Sequence, residues 1–98
     1  MSNFSELINQ NKPVIIDFFA EWCGPCKTMS PILKEVKDVL GDGVTILKID
    51  VDKNQALAAK YQVKGVPTFL LFKEGKQIWR QSGIIQKEEL LTIISNNK

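Results

Sequence analysis

The heptapeptide EWCGPCK, Glu21 to Lys27, holds both cysteines of a 98-residue chain, with only Gly24 and Pro25 between them. Directly before the cysteines runs PVIIDFFA, residues 13 to 20, a continuous series of β-branched and aromatic side chains. Such a run predicts a strand buried on both faces, and its one charge, Asp17, stands out against it. Directly after the cysteines, Met29, Ile32, Leu33, Val36, Val39 and Leu40 keep the 3.6-residue rhythm of an amphipathic helix until the glycine stop GDG at 41 to 43. Cys23 is thus placed at the N-terminal edge of a long helix, and Cys26 in its first turn. Pro31, inside that helix, is expected to kink it, because its ring displaces the carbonyl of Lys27.

Outward from this junction the pattern is regular. Phe4, Leu7 and Ile8 recur at helical spacing with Ser2 able to cap the first turn, which predicts a short helix over residues 2 to 11, ended by Pro13. VTILKIDV, residues 44 to 51, reads as a second strand, and NQALAAKY from Asn54 as a short capped helix. Strand, helix, strand, helix argues for a βαβ unit with a parallel central pair. After Pro67, TFLLFKEGKQIWRQSG gives two strand-like runs joined around Glu74 and Gly75, which fits a tight antiparallel hairpin. QKEELLTIISNN closes the chain as an amphipathic helix with Leu90, Leu91 and Ile94 inward. No repeat, linker or low-complexity segment interrupts the series, so residues 1 to 98 are expected to form one domain around one core.

Composition narrows the function classes. Hydrophobic residues make up 44% and charged residues 24%, the balance of a globular domain. The net charge of +2 comes from lysines scattered among acidic residues, whereas phosphate neutralisation needs a clustered basic face, so nucleic acid is not an expected partner. No apolar run approaches the roughly 20 residues of a membrane helix, and a membrane is not expected either. The first residues, MSNFSELINQNK, lack a cationic segment followed by an apolar one, so a cytoplasmic location is expected. The chain contains no histidine. That removes Cys/His and Ser/His/Asp catalysis, histidine-ligated zinc and a histidine pH switch together.

Three readings of the cysteines then compete: a clamp, a metal claw and a working redox pair. A disulfide across two residues closes a very short loop and constrains the unfolded chain least of any cross-link. A metal needs about four ligands, and one chain supplies two thiolates, so a shared metal or iron–sulfur cluster would take two chains. A redox pair fits the location. Unpaired N–H groups and the positive end of the helix dipole favour the thiolate of Cys23 over its thiol. Pro25 falls where a helix can spare its N–H, and it stiffens the loop that holds the sulfurs within reach. C-x-x-C in a βαβ setting favours redox chemistry over the other two readings.

WCGPC at 22 to 26, the aspartate of DFFAEWCGPCK, KIDVDKN and GVPTFLLFKEGK at 65 to 76 together resemble the thioredoxin family, in order and spacing, from about Asn11 to Ser95. The resemblance implies an α/β thioredoxin fold, a central mixed β-sheet flanked by helices on both faces. It implies a protein disulfide reductant in which Cys23 is the exposed nucleophile and Cys26, more buried, resolves the mixed disulfide. Asp17 would exchange a proton with Cys26 through water, with Lys48 as its charge partner. Pro67 would be a cis-proline facing the cysteines, beside a Val66 backbone that binds extended substrate. Trp22, Val66, Pro67, Gly83 and Ile84 would line the receiving groove. No bound cofactor and no metal are implied; electrons would come from NADPH through a thioredoxin reductase, the expected partner besides disulfide-containing proteins.

Each assignment has a plainer rival. A carboxylate between Ile16 and Phe18 is costly unless neutral or paired, which favours a functional Asp17. Lys48 could simply lay its stem along a strand with its head in water, Trp22 could be packing, and Pro67 could be an ordinary trans proline. Family members commonly begin with one more strand, so four are expected here, in spatial order 44–50, 14–19, 68–73, 77–82. The strand at 44–50 then becomes an edge, and besides a monomer an edge-strand dimer is conceivable. Phe19 stands where many relatives carry a second tryptophan, and Trp79 receives no role. Two other functions remain open: a thioredoxin-fold docking subunit, and a disulfide oxidant or isomerase. Gly24-Pro25 resembles the reducing members of the family.

Overall fold

In the computed structural model, which describes residues 3–98, β1 (Val14–Phe19) occupies the centre of a four-stranded mixed sheet. It pairs in parallel with β2 (Thr45–Asp50) and antiparallel with β3 (Thr68–Lys73), which in turn pairs antiparallel with β4 (Lys76–Ser82). The order β2-β1-β3-β4 is the one expected, and it leaves β2 at an edge. The parallel pair requires a crossover, supplied by α2 (Gly24–Leu40).

The continuous apolar run of β1 hides a period of two. Val14, Ile16 and Phe18 join Leu70 and Phe72 of β3 on one face, under α1 (Phe4–Ile8) and α3 (Gln55–Lys60). Ile15 joins Phe69 and Leu71 on the other, under α2 and α4 (Lys87–Ser95). Asp17 follows Ile15 by two residues and so faces α2. Met29, Leu33 and Val36 of α2 pack against Leu90 and Ile94 of α4 in the same cluster, with Leu91 half-buried at its margin. Trp79 also finds its role here, packing from β4 against this cluster opposite Leu71.

Several local expectations are corrected. The first helix is Phe4–Ile8 rather than 2 to 11, and Asn3 caps it by accepting the Glu6 N–H at 2.9 Å; the Ser2 cap lies outside the described residues. Asn54 occupies the N-cap position of α3 and its carbonyl accepts the Ala58 N–H, but its side chain makes no capping bond; its amide donates to the Asp50 carbonyl. Val39 is exposed, since it lies about 100° away from Leu40, the residue that continues the buried stripe of α2. By contrast, α2 ends at the glycine stop, with Gly41 at its C-cap, and Pro31 lies inside it; GDG itself forms a 3₁₀ turn.

The β3–β4 hairpin turns on two residues, Glu74 at φ 53° and Gly75 at φ 82°. Positive φ at both central positions defines the turn whose twist matches that of the strands, and Asn-Gly or Gly-Gly fills it with least cost. The turn is also tied to the end of α1, because Glu74 N–H donates to Gln10 O and Gly75 N–H to Ile8 O. Glu74→Asn keeps those backbone bonds and relieves the left-handed strain of an exposed side chain. It should raise stability by about 0.5–1 kcal/mol in urea unfolding; an unchanged or lower midpoint would contradict the turn assignment.

Candidate active site

The chain leaves β1 through a turn in which Cys23 N–H donates to Ala20 O at 3.2 Å, and it enters α2 with Cys23 at the N-cap and Pro25 in the first turn. Cys23 and Cys26 form a disulfide with a Cα–Cα distance of 5.3 Å, well inside the usual range. The backbone N–H of Cys26, one of the donors a helix start leaves unpaired, points at Cys23 Sγ at 3.1 Å. In the reduced state the same donor and the helix dipole would stabilise a thiolate at Cys23. Pro25 lacks the N–H that this position does not use, and Gly24 leaves open space where a Cβ would stand.

The expectation of an exposed Cys23 and a more buried Cys26 is corrected. The two are 3% and 5% exposed, both covered by Ala20, Phe19, Val51 and Val66. Their neighbours separate them instead. Cys23 Sγ sits 3.6 Å from the carbonyl oxygen of Val66, on the outward side. Cys26 lines a cleft of about 250 Å³ on the inward side, together with Asp17, Phe19, Ala20, Glu21, Lys27, Ser30 and Lys48.

Asp17 is 2% exposed, and its Oδ1 has no hydrogen-bond partner among the described residues. Burial pushes its carboxyl from 3.8 up to about 6, against the opposing pull of the Lys48 charge. Lys48 stands opposite Asp17 in the β1–β2 register, yet its ammonium lies on Ser30 Oγ at 3.1 Å, with the Phe19 ring centroid 6.0 Å away. Its head is therefore at the rim of the cleft, a middle course between a buried partner and a lysine that merely snorkels.

On the outward side the Val66–Pro67 peptide is cis, as the resemblance implied, and Pro67 is buried. Gly83, at φ 92°, donates its N–H to Pro67 O at 2.9 Å, joining the end of β4 to this turn. Trp22 is 72% exposed and shares a shallow depression with Val66, while Ile84 is exposed beside Gly83. Trp22 is not loose packing: its indole N–H donates to Asp52 Oδ2 at 2.8 Å. Asp52 in turn sits in a loop whose N–H groups at Asp52 and Lys53 are held by Asp50 Oδ1. Arg80 reaches from β4 to the carbonyls of Tyr61 and Gln62, fixing the start of the segment that leads to Val66.

Sequence reasoning missed Ser30, Asp52 and Arg80. Ser30 carries a usable signal, four residues after Cys26 and hence on the same helix face. Asp52 and Arg80 carry none, because their partners lie 30 and 19 residues away. Among the described residues no cluster of three or more His, Cys, Asp or Glu could hold a metal.

A buried disulfide couple at a helix N-terminus, backed by a desolvated carboxyl, defines a centre equipped for thiol–disulfide exchange. Comparison with known proteins agrees with it. The thioredoxin family model matches residues 1–96. Thioredoxin Y2, chloroplastic, of Arabidopsis thaliana is 45% identical over 97 residues, covering 98% of this chain and 58% of its own length. A thioredoxin of Chlamydia trachomatis is 44% identical over 96 residues, covering 98% of this chain and 92% of its own. Among solved structures, a mutant thioredoxin of Halobacterium salinarum superposes with a TM-score of 0.88 at 35% identity, over 98% of this chain and 83% of that one. The chain belongs to the thioredoxin family. It spans little more than half the length of several of its plant relatives, 58% and 57% for those of Arabidopsis and rice.

Asp17 makes stability depend on pH. Its folded pKa, about 6, lies above the ordinary 3.8, so the folded state keeps a proton that the unfolded state has already released between those values. The contribution of Asp17 to stability is fully present below about pH 4 and is lost as pH rises through about 6, a change on the order of 2–3 kcal/mol. Asp17→Asn should be more stable than the parent by about 1–3 kcal/mol at pH 7 in urea unfolding, with the gain gone near pH 4. Loss of stability at pH 7 would make Asp17 a structural residue.

Proposed function

We propose that the chain is a thiol–disulfide oxidoreductase that reduces disulfides of other proteins. The observation that carries this reading is the pair of different surroundings of one sulfur couple, with Cys23 turned to the Val66 carbonyl and Cys26 to the cleft that holds Asp17.

In this reading the Cys23 thiolate attacks one sulfur of a substrate disulfide, and the other sulfur leaves as a thiolate that takes a proton from water. The substrate segment lies along Val66, whose backbone it meets as an added strand would, with Trp22, Pro67, Gly83 and Ile84 around it. Asp17 then accepts the proton of the Cys26 thiol through water in the cleft. The Cys26 thiolate attacks Cys23 Sγ, the mixed disulfide breaks, and the second substrate sulfur leaves. Two electrons have passed to the substrate, and the Cys23–Cys26 disulfide remains. Lys48 favours the ionised form of Asp17 and so keeps the base available near neutral pH.

Recharging takes two electrons from NADPH through a thioredoxin reductase, with no cofactor bound to the chain itself. The protein works as a monomer in a reducing compartment such as the cytoplasm. A docking subunit would have no use for a desolvated carboxyl behind its second sulfur, and no feature of the site favours an oxidant over a reductant.

Cys26→Ser should trap mixed disulfides with substrate proteins on non-reducing gels, and Cys23→Ser should trap none; equal trapping by the two would overturn the order of attack. Asp17→Asn should slow disulfide reduction at pH 7 by about tenfold or more. The rate of the parent protein should fall as pH drops through about 6, where Asp17 becomes protonated, and a pH profile flat across that region would remove Asp17 from the proton path.

A further inference from the structure

Ser30 lies one helical turn beyond Cys26 on the wall of the cleft, and it bonds in two directions. Its Oγ donates to the Cys26 carbonyl at 3.4 Å and accepts from Lys48 Nζ at 3.1 Å. Lys48 is an exposed residue on an edge strand, and its four-carbon stem is free to carry the charge out into water. It makes no ion pair with Asp17 at contact distance; the hydroxyl of Ser30 is its hydrogen-bond acceptor. The position of the ammonium relative to the carboxyl therefore depends on a side chain from a third element.

We propose that Ser30 is a positioning residue for the site, its hydroxyl tethering the Lys48 ammonium to the first turns of α2 so that the charge stays beside Asp17 and Cys26. The proposal rests on the proton-transfer reading of Asp17 for its functional meaning, though not for its geometry. The serine hydroxyl suits the task because it is both donor and acceptor. Donating backward to a helix carbonyl fixes its rotamer and leaves a lone pair for the ammonium.

The charged and titratable groups around Asp17 come from three elements. Lys48 comes from β2, Lys27 and Cys26 from α2, and Glu21 from the turn after β1, where it faces Lys53 at 3.8 Å. On its other side β3 presents Phe69 directly opposite, with no charge. Lys48 is the one of these that opposes the effect of burial on Asp17. Removing its tether lets the ammonium relax into solvent, where screening weakens its hold on the carboxyl. The proton affinity of Asp17 then rises, and a smaller fraction is ionised at neutral pH to accept the Cys26 proton.

The test is a carbon-detected NMR titration of the Asp17 carboxyl in the oxidised protein, where the cysteines do not titrate. The comparison takes the parent, Ser30→Ala, Ser30→Thr, Lys48→Met and the double variant Ser30→Ala/Lys48→Met. The tether predicts an upward shift of the Asp17 midpoint in Ser30→Ala, smaller than that in Lys48→Met, and recovery towards the parent value in Ser30→Thr. It also predicts no further shift when Ser30→Ala is added to Lys48→Met. An unchanged midpoint in Ser30→Ala, or an equal shift with and without Lys48, overturns the proposal. Failure of the proton-transfer reading would show elsewhere, as an undiminished reduction rate in Asp17→Asn, and would leave the titration result intact.

Discussion

Burial of β1 on both faces and along both edges is the constraint on which the rest of the molecule depends. Five of its six residues are buried, and its neighbours β2 and β3 satisfy its backbone on either side. Because side chains alternate, its apolar residues build two cores at once, one beneath α1 and α3 and the other beneath α2 and α4. The strand therefore fixes where its own C-terminal end emerges, and the helix that follows must start there. The disulfide is anchored at that junction through the Cys23 N-cap and the turn to Ala20.

The same burial sets the chemistry. A carboxyl at the fourth of the six positions of β1 is forced to the α2 face and loses its water, which raises its proton affinity. The cost is stability above about pH 6, carried by the two cores. Opposing it is one ammonium at the rim, held by Ser30 rather than by the carboxyl itself. The site thus sets desolvation, which is fixed by the strand, against a charge that hydrogen-bonds a side chain of α2.

Much of this was legible in the sequence because the signals were local. The apolar run 13 to 20, the helical rhythm after Cys26 and the Glu74-Gly75 turn each specify an element from neighbouring residues, and all appear where expected. Asp17 announced itself as a charge in an apolar run. The order that leaves β2 at an edge is the one expected for the four strand-like runs. What stayed hidden depended on geometry between distant residues: the clasp of Trp22 by Asp52, the reach of Arg80 to the end of α3, and the diversion of the Asn54 side chain from a capping bond to the Asp50 carbonyl. The near-equal burial of the two cysteines was hidden for the same reason, since Val51 and Val66 cover them from other parts of the chain.

The central claim is that the Cys23/Cys26 couple is built to give electrons away. Its most direct test is the redox equilibrium of the pair against graded thiol/disulfide buffers, read by thiol labelling. The account predicts a potential below the cytosolic glutathione poise of roughly −220 to −260 mV. A potential clearly above that range would contradict it and make the same fold and the same sulfurs an oxidant or isomerase.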